Sequence, residues 1–433
     1  MLKQLNNIEE FNEYLEGREV EASFEVIKNT QDIINKVKKE KDKALLTLTE
    51  KFDGVKLDNI KVSEKEIEEA YNLVDKKFLN AMENAKENIV EFHEKQKQKG
   101  YEILREDNVY LGQRVIPIEK VGVYVPGGTA AYPSSVLMNV IPAKIAGVKK
   151  IVMTTPPNKD GKVNPYILAT AKLVGVDVIY KVGGAQAIAA LAYGSETVEK
   201  VDKIVGPGNT YVANAKRLVY GKVDIDMIAG PSEILVIADE NADPRYVASD
   251  LISQAEHDEN ASSILLTTSY ELLDKVNKEL KEQAEVLERK DIILKSLKSY
   301  GVSMVLDSIE KCIEVSNQIA PEHLELMVEN PKLYLDSVTN AGSVFLGYMT
   351  CESIGDYYGG TNHVLPTNGT ARFYSALNVD NFTKKSSYLH YSKEALEKVA
   401  DDIINIANHE GLTGHANSVK VRVKKWKQLM YIK

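Results

Sequence analysis

From Val109 onward the chain alternates short apolar runs with segments of helix length. Such alternation is typical of βαβ units and a parallel sheet. Apolar runs with little polar alternation indicate strands covered on both faces. The runs fall into two series, at 121–125, 150–154, 177–180 and 203–205, and at 233–238, 263–267, 303–306 and 342–346. We therefore predict an α/β fold with two parallel-sheet units.

The two ends of the chain lack this alternation. Residues 1 to about 100 are charged and helical in pattern, and Ser63-Glu64-Lys65-Glu66 has the form of a capping box, which predicts a helix start. Residues 393–408 form an amphipathic helical pattern that the glycines of 410–415 interrupt. A basic tail with Trp426 follows and is interpreted as a docked or frayed terminal segment. A helical N-terminal region and a C-terminal arm therefore flank the α/β units.

Composition limits the classes of function. The 433 residues predict two or three domains, and a net charge of -9 argues against broad nucleic-acid binding. The N-terminus lacks the apolar core of a signal peptide, and no apolar run is long enough to span a membrane. Cys312 and Cys351 are far apart and form no CxxC motif, so a disulfide framework is not expected. These features predict a cytoplasmic protein.

Glycine-rich turns follow three of the predicted strands, at Gly127-Gly128, Gly183-Gly184 and Gly206-Pro207-Gly208-Asn209. Backbone amides at such a turn, with a helix N-terminus behind them, form an anion site at the carboxyl ends of the strands. The alternative is that these turns need glycine for their geometry alone. The chain has no GxGxxG motif, so the standard dinucleotide signature is missing.

Gln254 and His257 are three residues apart in a predicted helix, which makes them neighbours on one surface. That surface lies away from the apolar stripe of the helix. An amide oxygen beside an imidazole nitrogen is half of a metal site, and the alternative is an ordinary solvated helix face.

Glu322 and His323 place a carboxylate next to an imidazole, a combination that suits proton transfer near neutral pH. Adjacent residues on a strand point to opposite faces, so both reach one site only from a turn or irregular segment, which Pro321 favours. The alternative is a strand end with an exposed Glu and a packed His. Ser232 is a candidate substrate contact or a simple turn residue.

Polar and small residues crowd the segment 351–363. Asp356 and His363 are candidate metal ligands or acid–base groups, and Cys351 is a candidate nucleophile for aldehyde oxidation through a thiohemiacetal. A structural loop is the alternative. Glu410 and His415 flank another glycine-broken turn, which a helix C-cap would also explain. Histidine nitrogens and carboxylate oxygens commonly bind zinc, although no spacing here selects that metal.

Together these segments resemble the histidinol dehydrogenase family over roughly residues 43–415. The resemblance rests on the order of nine segments, namely 121–128 (VGVYVPGG), 182–190 (VGGAQAIAA), 205–209 (VGPGN), 229–233 (AGPSE), 253–257 (SQAEH), 320–324 (APEHL), 355–357 (GDY), 360–367 (GTNHVLPT) and 410–415 (EGLTGH).

The resemblance implies a zinc- and NAD-dependent oxidoreductase. It would oxidise L-histidinol to L-histidine through L-histidinal with two NAD, in the final steps of histidine biosynthesis. The implied zinc ligands are Gln254, His257, Asp356 and His415. The implied substrate contacts are these four with Ser232, Glu322, His323 and Glu410. Glu322 and His323 would transfer protons, and the implied NAD contacts are Tyr124, Gln186 and Asn209. Cys351 has no counterpart in the family, which weakens the thiohemiacetal hypothesis.

The resemblance also implies two incomplete Rossmann-like units. Residues 21–122 plus 233–375 would carry most of the zinc and substrate site, and 123–232 would bind NAD. Residues 1–20 plus 376–433 would form a terminal helical arm for dimerisation. In the implied homodimer, Glu410 and His415 of that arm complete the neighbouring site.

Two other classes of function have the same ingredients. A metal-dependent hydrolase would use a metal-bound water and need no NAD. A non-catalytic nucleotide-binding scaffold would have no enzymatic activity, so replacing His257 or Asp356 would change none. NADH formation from histidinol separates the dehydrogenase from both.

Overall fold

The computed structural model describes residues 2–16, 23–127 and 131–423, which leaves Gly128 and Trp426 outside the described residues. The chain divides into two compact units. Unit 1 comprises Met1–Lys97 and Ile118–Phe382, and unit 2 comprises Gln98–Pro117 and Thr383–Lys433. The predicted domain boundaries stay a prediction.

Helices and strands are numbered along the chain. The strands are β1 (Lys3–Gln4), β2 (Tyr101–Arg105), β3 (Val109–Pro117), β4 (Lys120–Tyr124), β5 (Lys150–Thr155), β6 (Val178–Lys181), β7 (Lys203–Val205), β8 (Asp224–Ile225), β9 (Glu233–Ala238), β10 (Ser262–Thr267), β11 (Gly301–Val305), β12 (His323–Met327), β13 (Ser343–Leu346) and β14 (Thr383–His390). The helices are α1 (Ile8–Glu16), α2 (Phe24–Asp53), α3 (Glu64–Leu73), α4 (Lys76–Glu94), α5 (Pro133–Ala146), α6 (Pro165–Val174), α7 (Gly184–Tyr193), α8 (Thr210–Val219), α9 (Pro244–Ala255), α10 (Tyr270–Ala284), α11 (Lys290–Tyr300), α12 (Ile309–Ile319), α13 (Glu352–Tyr357), α14 (Lys393–His409) and α15 (Thr413–Lys420).

Unit 1 contains two parallel sheets, which confirms the predicted α/β class. The five-stranded sheet has the order β6-β5-β4-β7-β8, and the six-stranded sheet has the order β1-β11-β10-β9-β12-β13. Every residue of β9 and β10 is buried, as expected for strands covered by helices on both faces. None of the described helices is both long and apolar enough to cross a membrane.

Among the N-terminal helices, α2 to α4 pack on the helices of the five-stranded sheet, whereas Phe11 of α1 packs in the core beside the six-stranded sheet. The predicted capping box is confirmed, since the Ser63 hydroxyl accepts from the Glu66 N–H and the Glu66 carboxylate accepts from the Ser63 N–H. Glu66 also pairs with Lys181 at the end of β6, at 2.9 Å between Oε1 and Nζ. The same carboxylate therefore starts α3 and anchors it to the sheet.

Three elements differ from the sequence predictions. The two-residue strand β1 adds an edge to the six-stranded sheet and is too short to produce a pattern. The chain between α10 and β11 forms a second helix, α11. In unit 2, β3 pairs antiparallel with β2 and β14, so the first strands after residue 100 do not belong to the α/β alternation. Since β14 lies far along the chain, no local pattern shows this pairing.

Candidate active site

The predicted site residues of unit 1 converge on one cavity of about 600 Å³. The glycine turn after β7 supplies one wall, at the carboxyl edge of the five-stranded sheet. Ser232, Glu322 and His323, which precede or begin β9 and β12, line the cavity from the amino edge of the six-stranded sheet. The other predicted residues that line the cavity are Asn209, His257, Asp356 and His363.

His323 begins β12 and is buried, with its two ring nitrogens in different environments. Nδ1 lies 3.0 Å from the carbonyl oxygen of Glu233, which can only accept, so Nδ1 carries the proton in the neutral ring. Nε2 has no hydrogen-bond partner among the described residues. It lies 3.8 Å from Glu352 Oε1 and 3.7 Å from Asp356 Oδ1. The ring therefore directs an unpaired nitrogen toward two carboxylates.

Burial and charge act in opposite directions on the pKa of His323. Burial lowers it, but the carboxylates of Glu352 and Glu322 outweigh burial, and the pKa lies well above its ordinary value. Burial raises the pKa of Glu322 to about 8, partly offset by His323. The carboxylates therefore make His323 a stronger proton acceptor, and Glu322 can hold or release a proton near neutral pH.

Glu322 reaches the same site because it precedes the strand. The turn contains Ala320, at a φ of 53°, and Pro321, and it places Glu322 so that Oε2 accepts the Glu233 backbone N–H at 2.9 Å. The side chain is almost completely buried. The predicted irregular segment is thus confirmed, and the alternative of an exposed Glu is wrong.

A group of metal-ligand type lies beside His323. Ligand atoms of His257, Glu352 and Asp356 all lie within 4.8 Å of one another. Glu352 and Asp356 are four residues apart in α13, which puts them on one face of that short helix. Burial lowers the pKa of His257. It raises that of Asp356, but the nearby imidazoles of His323, His363 and His257 bring the Asp356 pKa below its ordinary value. A neutral imidazole and an ionised carboxylate are the protonation states that bind a metal.

Gln254 differs from its sequence prediction. It was expected on an open face beside His257, but α9 ends at Ala255 and the Gln254 side chain is completely buried. Its amide nitrogen faces the Glu352 carboxylate at 2.6 and 3.1 Å, and its amide oxygen accepts the Glu233 N–H at 2.9 Å. The solvated-face alternative is therefore wrong for Gln254, because α13 covers that side of α9 and supplies the Glu352 partner.

The three predicted NAD contacts occupy the carboxyl side of the five-stranded sheet. Asn209 caps α8 through Oδ1, which accepts the N–H groups of Tyr211 and Val212 at 3.1 Å, and it lines the cavity. Tyr124 and Gln186 are buried and meet at Gly184, whose N–H donates to the Tyr124 hydroxyl at 3.2 Å. Asn209 is thus at the open cavity, and the other two are packed behind it.

The remaining candidates lie in three places. Glu410 and His415 belong to unit 2, at the end of α14 and in α15, and both are exposed. His363 is packed, with Nδ1 3.0 Å from the Asp356 carbonyl oxygen and Nε2 3.2 Å from Ser135 Oγ. Cys351 immediately precedes α13 and is half-buried.

A second pair of carboxyl groups, Asp250 and Glu325, is buried behind the site. Glu325 Oε1 accepts the Glu352 N–H at 2.8 Å, which fixes the start of α13. Burial, and then the charge of Asp250, raise the pKa of Glu325 well above its ordinary value of 4.5. Above pH 4.5 folding therefore favours the protonated form of Glu325.

This pair predicts a pH-dependent stability. Because its pKa is raised on folding, Glu325 contributes stability that is fully present below 4.5 and is lost as pH rises through the folded pKa. Glu325→Gln keeps a hydrogen-bonding side chain without the ionisation, so its free energy of unfolding should fall less than that of the unaltered protein between acid and alkaline pH. Urea unfolding across pH measures this, with exposed Glu329→Gln as the control. Parallel curves for Glu325→Gln and the unaltered protein would contradict the assignment.

Taken together, an imidazole–carboxylate pair and a group of metal-ligand type around one cavity form the site of an α/β enzyme. The histidinol dehydrogenase family model matches residues 16–423. The histidinol dehydrogenase of Clostridium acetobutylicum is 58% identical over 416 residues, which is 96% of each chain. That of Caldanaerobacter subterraneus is 57% identical over 94% of this chain and 95% of its own. A crystal structure of histidinol dehydrogenase from Elizabethkingia anophelis has a TM-score of 0.93 and 44% identity, covering 98% of this chain and 99% of its own. The chain therefore belongs to the histidinol dehydrogenase family.

Proposed function

We propose that the protein oxidises L-histidinol to L-histidine through L-histidinal, with two NAD and a zinc ion. The observation that carries the proposal is the position of His323, which lines the same cavity as Glu322, His257, Asp356 and the glycine turn, with Nε2 3.7 Å from Asp356 Oδ1. A proton-transfer pair, a metal-ligand group and a nucleotide-type turn around one cavity are what this oxidation requires.

The residues present fit a zinc ion. The observed cluster of His257, Glu352 and Asp356 offers nitrogen and oxygen donors, which zinc accepts. We propose His257 and Asp356 as ligands, with Gln254 as the third ligand of unit 1. Glu352 then serves to hold the Gln254 amide, which it contacts at 2.6 Å. When bound, zinc would orient the imidazole and amine of the substrate.

The turn after β7 fits a dinucleotide. Asn209 lies at the N-terminus of α8, where backbone amides and the helix dipole favour the negative charge of a pyrophosphate. Tyr124 and Gln186 are proposed as further contacts, behind the open cavity. When bound, NAD would accept the hydride in each of the two oxidations.

In the proposed mechanism His323, which lines the cavity, takes the proton of the substrate hydroxyl on Nε2 during the first oxidation, because Nδ1 is bonded to the Glu233 carbonyl oxygen. Glu322 then deprotonates a water that attacks the aldehyde carbon. Ser232, which lines the cavity just before β9, would hydrogen-bond the substrate. Both steps take place in one cavity, so the reactive aldehyde is kept from solvent.

We further propose that the protein is a homodimer whose C-terminal arm completes the neighbouring site. Glu410 and His415 are exposed on unit 2, and Ile406 and Leu412 beside them are large exposed apolar side chains. A protein–protein interface combines apolar side chains with polar groups around them. His415 would be the fourth zinc ligand, and Glu410 a substrate contact.

The experiment that tests this function is NADH formation from L-histidinol before and after removal of metal by a chelator. Two NADH per L-histidinol are expected, with loss of turnover on chelation and recovery on adding zinc. The control is the same assay with L-histidinol omitted. No NADH, or activity that chelation leaves unchanged, would contradict the proposal and favour a hydrolase or a scaffold.

A further inference from the structure

A buried ion pair lies behind the glycine turn of the proposed NAD site. Lys216 in α8 is 2% exposed, and Asp226, just after β8, is 6% exposed. The Lys216 Nζ and the Asp226 carboxylate are in direct contact, and both residues border the cavity. Burying two charges requires close pairing and further hydrogen bonds, so the remaining partners of this pair are informative.

Those partners are the backbone groups of Gly206, the first residue of the turn. Lys216 Nζ donates to the Gly206 carbonyl oxygen at 3.0 Å, and Asp226 Oδ2 accepts the Gly206 N–H at 2.7 Å. Gly206 has a φ of 115°, and a Cβ there would lie 2.1 Å from the Tyr124 carbonyl oxygen. The ion pair therefore holds both hydrogen-bonding groups of a residue that has no room to shift toward β4.

Asp226 also connects the turn to the substrate side of the cavity. Its Oδ1 accepts the Met227 N–H at 2.7 Å, and the segment from Met227 to Ser232 forms part of the cavity lining. One carboxylate thus bonds the start of the glycine turn and the start of the segment that leads into β9.

We propose that Lys216 and Asp226 are positioning residues for the dinucleotide. They act through Gly206, and through it set the position of the exposed Asn209 side chain at the start of α8. This inference rests on the proposed function only for the identity of the ligand. The pair then contributes to the affinity for the cofactor as well as to the stability of the fold.

The test compares Lys216→Met with the double variant Lys216→Met/Asp226→Leu. The single variant leaves Asp226 buried without its partner, so it is expected to lower the unfolding midpoint and the affinity for NAD. The double variant removes both charges and should recover much of the midpoint, but neither side chain then holds Gly206. In both, we expect the KM for NAD and the Kd for NADH, measured by fluorescence titration, to rise about tenfold. The KM for L-histidinol should change less than about twofold.

A neighbouring ion pair provides the matched control. Lys203 in β7 and Asp224 in β8 are joined at 2.7 Å between Nζ and Oδ2, before the turn begins. Lys203→Met should lower the unfolding midpoint and leave the Kd for NADH unchanged. An unchanged Kd in the double variant, or an equal rise in Lys203→Met, would overturn the positioning role. If the unaltered protein bound NADH without oxidising L-histidinol, the proposed function would fail while the titration still tested the pair.

Discussion

Glu322→Gln is expected to stop the reaction at the aldehyde. The amide cannot deprotonate water, so oxidation of supplied L-histidinal should fall by about three orders of magnitude, within the usual range for a general base. Oxidation of L-histidinol to L-histidinal depends on His323, so its rate in Glu322→Gln should fall much less. His323→Asn should instead suppress oxidation of L-histidinol, because it removes the imidazole that accepts the hydroxyl proton. Separate assays with L-histidinol and L-histidinal, each followed by NADH formation, measure the two effects.

The control for these variants is Glu329→Gln, an exposed residue just beyond the other end of β12. It should retain native rates with both substrates. Unfolding midpoints close to the native value show that the variants fold, so that lost rates report chemistry. Full turnover of L-histidinol to L-histidine by both Glu322→Gln and His323→Asn would contradict the assignment of the proton-transfer pair.

Most of the α/β core could be predicted from the sequence, because buried parallel strands consist of apolar runs that turns separate. The predicted strand at 233–238 coincides with β9, and the capping box at Ser63 begins α3 as expected. Both are local patterns of a few residues. The antiparallel sheet of unit 2 could not be predicted in this way, since residues 118–382 separate β3 from its partner β14 in the sequence.

The same distinction applies to the candidate site. Glu322 and His323 are adjacent in sequence, and their joint access to the cavity followed from Pro321. Gln254 was placed on an open face because the periodicity of α9 contains no information about α13, which covers it. Glu352 was missed, although its spacing of four from Asp356 was a usable signal.

Lys216 and Asp226 gave no comparable signal in the sequence. A lysine in the last turn of a helix predicts a solvated side chain whose charge interacts favourably with the helix dipole. Only the fold shows that Lys216 points inward, toward the carbonyl oxygen of Gly206. Charged side chains that support a site from behind therefore have to be found from burial and contacts.

Two inactive variants are expected to restore each other's activity in mixed dimers. His257→Ala and His415→Ala each remove one proposed zinc ligand, and each homodimer should be inactive. If the site joins His257 of one chain to His415 of its partner, every mixed dimer has one intact site. Random mixing makes half of the dimers mixed, so about a quarter of native activity should return. Co-expression with two different affinity tags isolates the mixed dimers, which should have about half of native activity.

The pairing of variants decides where the site lies. A mixture of His257→Ala with Asp356→Ala should recover nothing, because both ligands belong to unit 1 of the same chain and no mixed dimer then has an intact site. Recovery with His415→Ala but not with Asp356→Ala would therefore locate His415 on the partner. If the tagged mixed dimers of His257→Ala and His415→Ala stayed inactive while binding zinc at native levels, His415 could not complete the neighbouring site, and the arm would serve dimerisation alone.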